Sequence, residues 1–302
     1  MPVVYGIFIS VFVFLFGCSR IFDDPVEELD PGLKGAQEIS LDRRLPVKRK
    51  HVVESFGAYG CSSCPDAERA LVPYLFADSG KARVDSNLYI VNYHVKFSGF
   101  KDPWVTQGTQ RIYDRYGYRS LPQVRLNGSN QPYGFRESDL PVVEYNALIK
   151  SRVQHLPESR HALEWVPQEL KFDKSTSTYS VTFTYGNRDS VAVAGIGFRL
   201  LVVKNEPVYS PYPGQENVPW EVIVVDVIED DAEGVPLFIT KLNAFYEKTF
   251  YLNFILSEDV GKYLDRVPDG GPEPVEAYAL LLLVFDTQGR ILNAVDYQYR
   301  PH

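Results

Sequence analysis

At 302 residues, with 45% hydrophobic, 14% aromatic and 23% charged side chains, the chain has room for two ordinary domains and enough apolar content to bury a core, which excludes disorder throughout. A formal net charge of −8 speaks against a nucleic-acid partner, because binding to a phosphate backbone runs on clustered Lys and Arg. The one basic cluster, Arg43, Arg44, Lys48, Arg49 and Lys50, falls in a predicted linker.

Residues 1–16 are almost wholly apolar and run into Gly17-Cys18. The stretch is shorter than the roughly 20 apolar residues that a membrane-crossing helix needs, so residues 1–17 read as a signal peptide, with a short uncleaved anchor as the alternative. Leu15-Phe16-Gly17-Cys18 resembles the lipobox of bacterial lipoproteins, which implies acylation of Cys18 and a membrane attachment through lipid. No Lys or Arg precedes the apolar run, which points to a natural start upstream of Met1. Residues 18–50 are rich in Asp, Glu, Arg, Lys and Pro without an apolar period, the pattern of a lipidated N-terminus and tether.

From His51 the texture changes. Val52, Val53 and Phe56 predict a short strand, and Cys61-Ser62-Ser63-Cys64 then opens a helix over about 65–78. Leu88 to Val91 is an apolar, β-branched run suited to a buried parallel strand. Residues 109–116 have helical character, with Gly117 as the stop. Residues 123–126 and 133–135 flank Asn127-Gly128, a hairpin-turn signal. Leu140, Val143, Leu148, Ile149 and Val153 then recur at helical spacing. The order β-α-β-α-β-β-α, with a dithiol between the first strand and its helix, resembles a thioredoxin-like domain, expected over 51–157. Beyond the boundary at Pro157, short β-rich runs at 179–185, 193–204, 221–228, 236–241, 249–255, 278–286 and 290–299 predict an all-β antiparallel sandwich-like domain over 158–302. The apolar run 279–285 is too short to span a membrane and reads as a buried strand.

With Cys18 carrying lipid, Cys61 and Cys64 are the only thiols left. In an oxidising compartment two cysteines this close suit a reversible redox pair better than a staple, since so small a loop removes little unfolded-state entropy. A thiolate is stabilised by the free N–H groups at a helix start. Cys61, just before the helix, is therefore the expected exposed nucleophile, and Cys64, one turn in, the resolving thiol. Zinc is the rival for the pair, but one Cys-x-x-Cys supplies two of four ligands and His94 at most a third. Neither metal nor bound cofactor is expected beyond the disulfide itself.

Val53-Glu54-Ser55-Phe56, Gly60-Cys61-Ser62-Ser63-Cys64-Pro65, Tyr93-His94-Val95, Gly99-Phe100-Lys101-Asp102-Pro103-Trp104, Arg111-Ile112-Tyr113, Leu121-Pro122-Gln123 and Asn127-Gly128 together resemble an uncharacterised family of secreted bacterial thioredoxin-like proteins. The resemblance spans about 52–128. It implies a cis Pro122 opposite the dithiol and a buried acid, Glu54, beneath it, placed to move the proton of Cys64; an ordinary trans proline and a solvent-facing glutamate are the alternatives. His94, Lys101 and Asp102 are secondary candidates for the rim. The functional expectation is a cell-envelope thiol–disulfide oxidoreductase acting on exported protein thiols or with a membrane redox partner. The alternative is a noncatalytic scaffold lipoprotein with a stable disulfide.

Overall fold

The structure is a computed structural model and describes residues 36–41, 47–75, 88–128 except 98 and 118, 133–134, 160–173 except 162, 178–204, 208–209, 219–220, 223–228, 237–255 and 278–298. Within them the chain runs through β1 (Ala36–Glu38), β2 (Val47–Lys48), β3 (His51–Gly57), α1 (Cys64–Leu75), β4 (Leu88–His94), α2 (Gln107–Arg115), β5 (Gln123–Leu126) and β6 (Tyr133–Gly134). Among the described residues only strands follow: β7 (Arg160–His161), β8 (Leu163–Asp173), β9 (Thr178–Asn187), β10 (Val193–Lys204), β11 (Val208–Tyr209), β12 (Pro219–Trp220), β13 (Ile223–Ile228), β14 (Leu237–Leu242), β15 (Tyr246–Ile255), β16 (Tyr278–Phe285) and β17 (Ile291–Gln298). Residues 1–35, with Cys18, and the helix expected over 140–153 lie outside the described residues. No described helix is long and apolar enough to cross a membrane.

β3 is buried along its whole length, so both of its faces must be covered and the side chains sort by parity. Val53 packs with Ala67 and Leu71 of α1, with Ile90 of β4 and with Val124 of β5, and Ser55 donates to Glu68 of α1. Phe56 turns to the other face, against Tyr93, Tyr113 and Tyr116. β4 runs parallel to β3 from His51 opposite Leu88 to Gly57 opposite His94. β5 runs antiparallel to β3, with Phe56 opposite Gln123. α2 starts on a reciprocal cap in which Thr106 Oγ1 accepts from Thr109 N and Thr109 Oγ1 accepts from Thr106 N, and Tyr116 ends it ahead of Gly117 at φ 70°. Such a box satisfies two backbone donors that the helix start would leave unpaired.

The molecule is β-rich and built on two principal sheets. The larger has nine strands in the order β17-β16-β10-β13-β4-β3-β5-β6, with β14 also paired to β10. It is continuous across Pro157, because β13 pairs in parallel with β4 at Ile223 and Asn92 and antiparallel with β10. β13 is buried throughout, Asp226 included, as a strand of Val and Ile on either side of one Asp, flanked by a strand on each edge, should be. α2 covers this seam so closely that a Cβ on Gly108 would stand 2.9 Å from Val227 Cβ. The second sheet, β1-β15-β9-β8, stacks on the first as a sandwich through Phe183 and Phe250 against Phe198.

Two expectations about the N-terminal tether are corrected by these contacts. β1 pairs antiparallel with β15, Ala36 opposite Lys248, and Ile39 is only 1% exposed, its N–H bonded to Phe245 O at 2.7 Å. Farther on, Arg49 donates to Ile291 O and Lys50 N to Asn293 Oδ1. A sequence without a local period still finds edge strands far along the chain, which no local pattern reveals.

Asn127 ties three strands at one turn. Its N–H bonds Val52 O, its Oδ1 accepts from Val52 N, its Nδ2 meets His51 Nδ1, and its carbonyl accepts from Ile291 N of β17. It does so at φ 54°, a region that Asn tolerates and Ala does not. Asn127→Ala is expected to lower unfolding stability by about 2–4 kcal/mol, from the lost bonds and the left-handed backbone together. Asn127→Gly, which relieves only the backbone, should lose less; urea unfolding of the two variants measures the difference, and equal losses would remove the backbone contribution.

Candidate functional site

α1 begins at Cys64 itself, so Cys64 is its first residue rather than one turn in, and Pro65 follows where a missing N–H costs nothing. Cys61 and Cys64 are joined in a disulfide with Cα atoms 5.4 Å apart. The turn between them carries a Cys64 N–H to Cys61 O bond at 3.3 Å. Both cysteines are 1% exposed, which corrects the expectation of an exposed Cys61. The segment after β4 packs on the two residues just ahead of Cys61, outside the reach of any local reading of the Cys-x-x-Cys motif.

That segment makes three contacts with Tyr59 and Gly60, the two residues ahead of Cys61. Asp102 Oδ2 accepts from Tyr59 N at 2.8 Å, Trp104 Nε1 donates to Tyr59 OH at 3.0 Å, and the Phe100 ring lies where a Cβ on Gly60 would stand. Gly60 sits at φ 79°, so glycine there answers both a backbone and a packing demand.

His94, at the end of β4, and Asp102 come together at 2.7 Å between Nδ1 and Oδ2. His94 is fully buried, edge-on to the Tyr59 ring, and its carbonyl accepts from Thr109 Oγ1 at 2.7 Å. Asp102 Oδ1 accepts from Trp104 N at 3.0 Å. Burial by itself would raise the Asp102 carboxyl, but His94 and the N–H groups of Tyr59 and Trp104 outweigh it and hold Asp102 below the usual carboxylate range. An ionised Asp102 only accepts, so Nδ1 of His94 carries the proton in this bond. The Tyr59 phenol is pushed up by burial, against the Trp104 hydrogen bond and with the help of the Asp102 charge, and stays protonated. Lys101 is exposed. Pro122, whose bond to Leu121 is cis, precedes Gln123, the partner of Phe56, and so lies at the end of β3 from which the chain enters the Cys61 loop.

Glu54 is placed on the face of β3 away from Ser55 and α1, which corrects its expected position beneath the dithiol. A shift of one residue along a strand exchanges the two faces. Glu54 is fully buried and accepts from Tyr93 OH at 3.2 Å and from Tyr116 OH at 3.1 Å, while the Arg125 guanidinium lies 3.7 Å from the centre of the Tyr116 ring. Burial raises its carboxyl; Arg199, Arg125 and the two hydroxyls pull it back without reversing the direction. The buried acid on the α1 face is Glu68, one helical turn after Cys64, held by Ser55 Oγ at 3.0 Å. The four-residue spacing from Cys64 is the signal that places the two on one helix face. Tyr59 carries no signal of its own in the sequence, and Phe100 and Trp104 stand there only within the Gly99–Trp104 motif; the fold brings them together beside Cys61. Among the described residues no group of three or more His, Cys, Asp or Glu gathers as a metal site.

No protein-family model and no curated protein matches the chain. Among solved structures, HBP35 of Porphyromonas gingivalis is similar in fold at 16% sequence identity and a TM-score of 0.58, covering 83% of this chain and 76% of that one. A domain of the outer membrane lipoprotein Omp28 from Porphyromonas gingivalis covers 47% of this chain and 90% of its own at 10% identity, with a TM-score of 0.27 that is too low to argue a shared fold.

Because burial raises the Glu54 carboxyl above its unfolded value, its contribution to stability is full below the ordinary carboxylate range and declines as pH rises through the raised value. Glu54→Gln removes that decline. Urea unfolding across about pH 4 to 8 should show the variant gaining on the wild type as pH rises; a pH-independent difference would overturn the upward direction of the Glu54 shift.

Proposed function

We propose that this chain is a thioredoxin-like thiol–disulfide exchange protein of the bacterial cell envelope, lipid-anchored through Cys18, of the secreted family that its motifs resemble. The observation that carries the reading is the closed Cys61–Cys64 disulfide at the first residue of α1, beyond the carboxyl end of the parallel β3 and β4 pair, with Pro122 at the same end of the sheet, next to Gln123 opposite Phe56. A pair of lone cysteines in that position is joined by a loop too short to staple a fold.

The exchange step follows from the oxidised state. A client thiolate attacks Sγ of Cys61, the bond to Cys64 breaks, and Cys64 leaves as a thiolate that takes up a proton. A second client thiolate attacks the client sulfur of the mixed disulfide and releases Cys61. The client dithiol has then lost two electrons and two protons, and the Cys61–Cys64 pair has gained them. A second partner protein carrying a disulfide restores the pair by the reverse sequence. Pro122 borders the groove in which the client strand lies. Glu54, on the far face, has no part in the proton transfer.

The burial of both cysteines favours a second reading, a scaffold lipoprotein with a stable disulfide. The reduction potential separates the two. Exchange calls for a value between about −120 and −270 mV, and a stable structural disulfide for one below about −300 mV. In cell extracts Cys64→Ser should accumulate mixed disulfides that Cys61→Ser does not, and their absence together with the lower potential would replace exchange by the scaffold. Metabolic labelling with a fatty-acid analogue should mark the wild type and not Cys18→Ala; equal labelling would remove the anchor.

A further inference from the structure

We propose that residues 99–105 form a strap over the redox pair, latched by Asp102, and that strap opening sets the rate at which any thiol reaches Cys61. The inference rests on the exchange reading for its biological use, but its geometry is independent of it.

A thiolate attacks a disulfide along the S–S axis, so a sulfur must be open on that line. Both sulfurs belong to residues that are 1% exposed. The cover over Gly60 is the Phe100 ring. Its outer side is bare, 41% of the residue being exposed, and it stacks on Phe97 with ring centres 5.9 Å apart. The half-exposed ring adds little to the cost of opening, since little apolar area returns to water, and the main hold on the strap is polar. Gly99, where the strap begins, sits at φ 82° with nothing within 4 Å of a built Cβ. The other end runs into the capped start of α2 at Thr106. Gly99 itself is held by no packing and can serve as the hinge, while the α2 end stays fixed.

The latch is polar. One carboxylate, Asp102, holds three elements at once: His94 of β4, the Tyr59 N–H of the loop that enters Cys61, and its own Trp104 N–H. His94 is anchored from behind by Thr109 of α2. An ionised acceptor with three donors, mostly buried, makes charge-assisted bonds roughly twice as strong as neutral ones. Asp102 is thus a positioning residue. It touches neither sulfur and acts through the strap and through Tyr59.

The test measures reduction of the disulfide in the full chain by dithiothreitol, quenched with an alkylating reagent and read by mass. Phe100→Ala, which takes away the ring and leaves the latch, and Asp102→Asn, which weakens the latch at constant shape, should each speed reduction about tenfold, with Phe100→Leu close to wild type. The equilibrium against a dithiothreitol redox buffer should stay where it is, since a gate changes access and not the end states; a purely structural loss would move both. Rates within twofold of wild type in Phe100→Ala overturn the strap, and because that ring is half exposed this variant decides even if Asp102→Asn does not fold. Faster reduction without trapped clients keeps the strap and removes the exchange reading. Trapped clients with unchanged rates do the opposite.

Discussion

The structure depends on a central strand with no solvent-facing side. β3 is buried at every residue, so each polar group on it needs a partner inside the protein. Ser55 finds Glu68 on one face, Glu54 finds Tyr93 and Tyr116 on the other, and His51 meets Asn127 at the strand's start. The same constraint recruits both helices, α1 to the Val53 face and α2 to the Phe56 face. The Cys61 loop leaves from the end of this strand, and its position is only as well defined as the packing of β3.

The second face of β3 is completed from the far half of the chain. β13 extends the sheet beyond β4, α2 seats on Val227 through Gly108, and Arg199 of β10 acts on the Glu54 carboxyl. A buried carboxyl flanked by guanidinium groups and tyrosine hydroxyls binds its surroundings together only while all members are present. The β-rich half is therefore part of the foundation of the Cys61 loop, coupled to it through one sheet and one buried polar cluster.

Burial of both sulfurs bears on how such a pair works. An exposed disulfide reacts with whichever thiol arrives, whereas a buried one reacts on the timescale of a local opening, and local openings cost far less than global unfolding. The His94–Asp102 bond joins the sheet to the segment that packs beside Cys61, because His94 ends β4 and Asp102 holds the Tyr59 N–H.

Periodicity alone determined much of the element order. The strands at Gln123–Leu126 and Val193–Lys204 were legible to the residue, because alternation and turn residues such as Asn127 and Gly128 are local properties. α2 and β16 were found within about two residues at each end for the same reason. The Cys-x-x-Cys spacing allowed a bond between Cys61 and Cys64, and the secondary candidates His94 and Asp102 did prove to be neighbours. Only the tertiary structure decided the rest. β1 pairs with a strand more than 200 residues away, and β13 joins β4 across Pro157, because edge pairing is chosen by whichever partner the folded sheet leaves open. Glu54 faces away from α1, and Ser55 toward it, because register across a turn selects the face of a strand. The burial of Cys61 was invisible in its own motif, since Phe100, Asp102 and Trp104, which pack on Tyr59 and Gly60 beside it, arrive through space and not along the chain.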